Sequence, residues 1–298
     1  MLIALVFALS ACENPWMREI LEPKTITFDS NGGSHVSSQD LIKGKKVTRP
    51  ANPSRIGFTF EAWYIDNGTF EEEWNFNIVP TFGFTLYAKW NPEKGTEGLK
   101  YELISGNTAY RVSRGTATGA IHIPVYSDAA GPALPVTQIS NGTNEQDNNA
   151  FGGSSITPNN TVTGVTFAAN SQLTAISSFA FFNSPSLTVI TIPASVTSIG
   201  DYAFASCVNL TSITIPANSN LTSIGDQAFD SCTGLTSITI PATVIQVGGF
   251  AFNYWDSSQT IYIRGHASRA AADEAWGDSS WRSQCSAVIK YWNGSSYQ

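Results

Sequence analysis

LTVITIP (Leu187 to Pro193), LTSITIP (Leu210 to Pro216) and LTSITIP again (Leu235 to Pro241) are three near-copies of one phrase in a chain of 298 residues. A repeat governs the reading of everything around it, because one copy of so short a unit cannot bury its own apolar side. Aligned on the last apolar residue of each phrase, Phe167, Ile192, Ile215, Ile240 and Ile263 fall 25, 23, 25 and 23 residues apart, and a degenerate earlier copy puts Ile123 on the same rung. A second series runs beside it: Ala180-Phe181, Ala203-Phe204, Ala228-Phe229 and Ala251-Phe252, with Ala150-Phe151 as an irregular first member. The intervals from strand residue to Phe are 14, 12, 14 and 12, so alternate copies carry a two-residue insertion between the strand and the Ala-Phe turn. Those insertions are expected to project along one edge of the stack. Within each copy the alternation of Ile with Thr or Ser predicts a six-residue strand. A Pro that cannot donate to the next ladder bond closes it, and Ile-Gly turns the chain into the Ala-Phe segment.

The pattern LTSITIPxxVTSIGxxAFxxC resembles the BspA-like (Treponema pallidum type) leucine-rich repeat from about Gly119 to Arg264. The resemblance implies a mainly β chain whose body is a leucine-rich-repeat solenoid. Such proteins are largely bacterial surface and secreted proteins. Several are adhesins that bind host extracellular matrix or fibrinogen, or mediate contact between bacteria. No binding residue belongs to the repeat motif.

Strand alternation turns Ile121 and Ile123 inward and His122 outward. Thr166, Thr191, Thr214, Thr239 and Tyr262 fill the same outward position, beside Gly164, Val189, Ser212, Ser237 and Thr260. That face is uncharged and rich in hydroxyls. It reads either as a Ser/Thr ladder kept for β propensity and solubility or as a recognition surface. Six rungs at about 4.8 Å give a strip of about 300–400 Å², whereas a stable interface takes about 800 Å² per partner. Binding through this face alone is therefore expected to be weak, and adhesion would need the insertion edge, the N-terminal module or many copies acting together. Cys207 and Cys232 each lie four residues after their repeat's Ala, in a slot that Ser184 and Trp255 fill elsewhere. Two buried reduced thiols and a disulfide between adjacent rungs are both compatible with that placement.

Upstream, residues 25–90 alternate strand-like runs with turn signals such as Asp29-Ser30-Asn31-Gly32-Gly33. Phe58, Phe60, Trp63, Tyr64, Trp74, Phe84, Tyr87 and Trp90 supply enough bulk to fill the core of so small a module. ITFDSNGG (Ile26 to Gly33), GFTFEAWY (Gly57 to Tyr64) and TLYAKW (Thr85 to Trp90) together resemble the Listeria–Bacteroides repeat, the B repeat of internalin-type surface proteins. The resemblance implies a small β-grasp-like module, used as a spacer or in contact with a host receptor, and brings no catalytic residues. Residues 91–100 read as a linker, 101–264 as the solenoid and 265–298 as its C-terminal cap. The cap holds a helix-compatible run from His266 to Trp276 and a strand-like run from Ala287 to Trp292, with Cys285 between them.

The first eleven residues, MLIALVFALSA, are apolar and stop at Cys12. As a helix they would reach only about 17 Å, against roughly 30 Å of bilayer core, so residues 1–11 read as a signal peptide rather than a span. Leu9-Ser10-Ala11-Cys12 resembles the bacterial lipobox, although no Lys or Arg precedes the apolar run. That resemblance implies acylation of Cys12, a tether over residues 12–24, and export to the cell envelope, at the outer membrane where there is one.

A net charge of −7 and a pI near 4.9 argue against a nucleic-acid partner. No nucleophile elbow, metal-ligand spacing or phosphate loop occurs. The expectation is therefore no catalytic residue, no metal and no small-molecule cofactor. The expected partners are the membrane, through the lipid anchor at Cys12, and a protein or cell-surface ligand of the solenoid. An adhesin-like surface lipoprotein is the leading reading, with a structural spacer or envelope-assembly protein as the alternative.

Overall fold

The computed structural model describes residues 25–128, 133–140, 151–154, 157–292 and 296–297. The signal segment, Cys12, the tether and Ala150 lie outside them. The chain divides into two compact units between Asn91 and Pro92.

In the first unit, β1 (Thr25–Asp29), β2 (Gln39–Asp40), β3 (Phe58–Tyr64) and β4 (Thr85–Pro92) form one sheet in the order β2-β1-β4-β3. β1 and β4 pair in parallel, with Phe28 opposite Leu86. Parallel neighbours need a long crossover, and residues 30–84 supply it. The aromatic residues enter the core: Trp63 and Trp74 are buried, with Phe28 edge-on to Trp63 at 5.0 Å and Phe84 edge-on to Trp74 at 4.8 Å. The turn after β1 is tied down from a distance, since Trp90 Nε1 donates to the Ser30 carbonyl at 2.8 Å.

The second unit opens with β5 (Lys100–Ile104) and β6 (Ala109–Ser113), an antiparallel hairpin where the sequence pattern suggested a first stretch of solenoid. Then come β7 (Gly119–Ile123), β8 (Tyr126–Ser127), β9 (Leu134–Ile139), β10 (Val162–Phe167), β11 (Ala175–Ile176), β12 (Val189–Thr191) and β13 (Ser198–Ile199). β14 (Ser212–Thr214), β15 (Ser223–Ile224), β16 (Ser237–Ile240), β17 (Gln246–Val247), β18 (Thr260–Ile263), helix α1 (Arg269–Ala275) and β19 (Val288–Tyr291) complete it. The expected strand is present on every rung from β7 to β18, but β12 and β14 are three residues long rather than six. The cap adds a further rung, with β19 pairing in parallel with β18 from Thr260–Val288 to Ile263–Tyr291.

A second parallel ladder, β9-β11-β13-β15-β17, runs along the solenoid where the sequence was read as turns. Its strands are the Ser-Ile of each Thr-Ser-Ile-Gly run or its equivalent, with Ile176, Ile199, Ile224 and Val247 inward. β6 joins this ladder beside β9 and closes its N-terminal end. The glycine after these strands is needed for approach, not for its own conformation. A Cβ on Gly225 would overlap the backbone nitrogen of Asp201 in the preceding coil, and Gly200 stands in the same relation to Ser178.

The core lies between the two ladders. Phe151, Phe181, Phe204, Phe229 and Phe252 stack in one column at centroid spacings of 5.5, 5.1, 5.5 and 5.7 Å. Each ring after Phe151 packs on two neighbours, so stability is shared along the array. Trp281 meets Phe252 edge-on and ends the column. Ser268 caps α1 by accepting from the Ala271 amide.

Cys207 and Cys232 are free and fully buried. Their slot is a column of donors, in which Ser184 Oγ, Cys207 Sγ, Cys232 Sγ and Trp255 Nε1 donate to the carbonyls of Phe151, Phe181, Phe204 and Phe229. Burial pushes the Cys207 thiol up to about 12 and raises that of Cys232 as well.

Candidate functional site: the outward strand face

Alternation along each strand of the first ladder sends one residue into the core and the next outward. The ladder is not uniform. β12 and β14 pair from Val189–Ser212 to Thr191–Thr214, and β16 and β18 from Ser237–Thr260 to Ile240–Ile263. β10 and β12, by contrast, meet at Val165–Ile190 alone, and β14 and β16 belong to separate sheets. The two weak junctions follow β10 and β14, the strands that precede the coils carrying the two-residue insertion.

At the first of these junctions lies an open concavity of about 600 Å³. Its floor is Gly164 and Ala120, and its sides are Val189, Thr166 and Thr191. The insertion loop, through Asn170 and Ser171, and the following Pro193 to Ser195 complete the wall. Gly164 leaves the floor open, because the space where a Cβ would project has no heavy atom within 4 Å. Val189 stands half exposed beside it. The site thus combines an apolar floor and flank with hydroxyl and amide groups at the rim, as small binding clefts do.

The six outward residues do not act as one strip. Thr166 and Thr191 line the concavity. Thr214 and Thr239 lie on either side of the second weak junction, Thr214 exposed and Thr239 partly so. His122 is held in place: its Nδ1 lies 3.2 Å from Thr166 Oγ1, and its Nε2 lies 3.5 Å from Glu93 Oε1. Its amide donates to Thr96 Oγ1 at 2.7 Å, and the Thr96 amide donates back to its carbonyl. Part of the stretch read as a linker, Glu93 and Thr96, therefore packs over the first rung. Tyr262, at the far end, packs edge-on against Tyr297.

Asn170 and Ser171 were not singled out from sequence, although the insertion containing them was. Lys290, Trp292 and Tyr297, which extend the cluster around Tyr262, carried no repeat signal at all. Among the described residues, no group of three or more His, Cys, Asp or Glu could hold a metal ion. No helix among them is long and apolar enough to cross a membrane.

Comparison with known proteins assigns both units. Residues 159–273 match the BspA type leucine-rich repeat region, in six copies. Residues 25–89 match the Listeria-Bacteroides repeat domain. A putative Gly-rich membrane protein of Evansella cellulosilytica is 42% identical over 89 residues, which are 30% of this chain and 10% of that protein. A putative membrane protein of the same organism is 41% identical over 68 residues, 22% of this chain and 10% of that one. The matched stretch thus spans about a tenth of the length of these curated relatives. Among solved structures, the leucine-rich repeat protein of T. pallidum is 25% identical with a TM-score of 0.46, covering 58% of this chain and 71% of that one. The pneumococcal vaccine antigen PcpA is 20% identical with a TM-score of 0.40, covering 56% and 49%. The chain accordingly carries a Listeria-Bacteroides repeat domain followed by a BspA-type leucine-rich-repeat region.

Proposed function

We propose that this protein is an adhesin-like protein of the cell surface, exported and lipid-anchored through Cys12, whose repeat unit binds a protein or cell-surface ligand at the concavity between β10 and β12. The concavity carries the reading. It has a volume within the range of binding clefts, and Gly164 keeps a side chain out of it beside the strand pair whose register is reduced to Val165–Ile190. The family match supports a binding scaffold, and the membrane proteins of Evansella support an envelope location. Residues 12–24 would then be the tether that holds the first unit off the membrane.

Affinity at a single concavity is expected to be micromolar or weaker, with adhesion arising from many tethered copies. The test has two arms. Protease applied to intact cells should shave the wild-type chain, and Cys12→Ala should release it to the medium. A wild type that is protected, and a variant that behaves identically, would remove the anchor. Purified protein displayed on beads should bind immobilised fibrinogen or matrix protein, and Gly164→Phe should abolish binding without loss of folded structure. Equal binding by the two proteins would sink the concavity as the site, and no binding by either would leave the spacer role in its place.

A further inference from the structure

The last two rungs of the outward face lose its hydroxyl character. Tyr297 packs edge-on against both Tyr262 and Trp292, with ring centres 4.8 and 5.1 Å apart. Arg264 Nε donates to the Tyr297 hydroxyl at 3.0 Å, and Lys290 Nζ lies 5.8 Å from the centre of the Tyr262 ring. Arg264 is exposed and Trp292 is 37% exposed. Neither cation forms an ion pair with a described carboxylate. In a chain of net charge −7, two cations with no carboxylate partner among the described residues thus stand on one cluster of three aromatic rings.

Those groups suit a specific chemistry. A guanidinium and an ammonium converging on one cluster bind a carboxylate by charge-assisted hydrogen bonds. The exposed indole offers a flat apolar surface against which the C–H face of a pyranose ring can lie. Thr260 on the same strand as Tyr262, and Ser237 and Thr239 on the adjoining rung, can bond the hydroxyls of further sugar units. Two cations are too few, on so acidic a chain, to hold a phosphate backbone or an anionic lipid surface. We propose that the C-terminal end of the outward face binds the terminal acidic sugar of a glycan, one carboxylate to a site. This site is separate from the concavity at Gly164 and does not depend on it.

The test titrates the full chain with sialyllactose, with a glucuronate-terminated disaccharide and with lactose, followed by isothermal calorimetry. At least one acidic glycan should bind at a concentration where lactose does not. The variant carrying both Lys290→Gln and Arg264→Gln should bind it at least about tenfold more weakly, with an unchanged circular dichroism spectrum. Lys290→Arg should retain binding, and so should Gly164→Phe, which separates this site from the other. Binding of lactose as tight as that of the acidic glycans, binding of neither acidic glycan, or an unaltered affinity in the double variant would each overturn the proposal.

Discussion

The Cys207 thiol donates its hydrogen to the carbonyl of Phe181, one coil back, at 3.1 Å. Cys232 does the same to Phe204 at 3.1 Å. The slot therefore requires a donor rather than a side chain of one size, which is why Ser and Trp can replace Cys there. Cys232→Ser should keep the bond and change stability by less than about 1 kcal/mol, whereas Cys232→Val removes one of the two bonds to the Phe204 carbonyl, which keeps the Cys207 amide, and should cost about 0.5–1.5 kcal/mol. Urea denaturation of the two variants decides the matter. Equal destabilisation would show that packing alone governs the slot.

The same burial makes these thiols inert. With the Cys207 thiol pushed up to about 12, its thiolate is negligible at neutral pH, and no solvent reaches either sulfur. In the Cys12→Ala chain, an aromatic disulfide reagent should titrate only Cys285 before denaturation and all three cysteines after it. A native protein with no titratable thiol beyond Cys285 even in denaturant would instead mean that Cys207 and Cys232 are bonded.

Two glycines separate tight stacking from an open floor. Gly225→Ala forces a Cβ into the backbone of Asp201 and is expected to cost about 1–3 kcal/mol. Gly164→Ala meets no heavy atom within 4 Å and should be neutral or slightly stabilising. Thermal melts of both variants test the contrast, and similar losses in the two would contradict it.

The cap should be acid-sensitive. Arg282 holds the Asp273 carboxyl below the usual carboxylate range, through bonds of 2.6 and 3.1 Å, and Trp281 Nε1 donates to the same group. A carboxyl depressed in the folded state stabilises above its unfolded pKa, near about 4, and loses that contribution as pH falls through the folded value. Wild type should exceed Asp273→Asn by about 1–2 kcal/mol at pH 7, with the difference shrinking below about pH 4. A gap that stays constant from pH 7 to pH 2.5 would count against the ion pair.

Much of this architecture was legible in the residues. The recurring Leu-Thr-Ser-Ile-Thr-Ile fixed the register of the first ladder, and the buried Ile190, Ile213, Ile238 and Ile261 follow from alternation. The second ladder was spelled out as plainly in Thr-Ser-Ile-Gly, but its strands are two residues long, too short for alternation to distinguish them from a turn. The hairpin of β5 and β6 and the rung at β19 escaped for another reason. They cap the array with sequences of their own, and their pairing partners are set by where the repeats stop. The concavity required two facts at once, a Gly at position 164 and the shortened pairing of β10 with β12. Only the first of these can be read along the chain. His122 stood out as a histidine on an outward position beside Thr166, yet its remaining partners are Glu93 and Thr96, residues that belong to no repeat.

Long and short coils alternate, and the weakly paired junctions alternate with them. Duplicating a single coil would set two long loops, or two tight junctions, next to each other and shift every later loop to the wrong partner. Duplicating a long and a short coil together leaves all the junctions as they were. The structural period of these coils is therefore the pair, 48 residues from Phe167 to Ile215 and 48 again from Ile215 to Ile263, with one weakly paired junction in each.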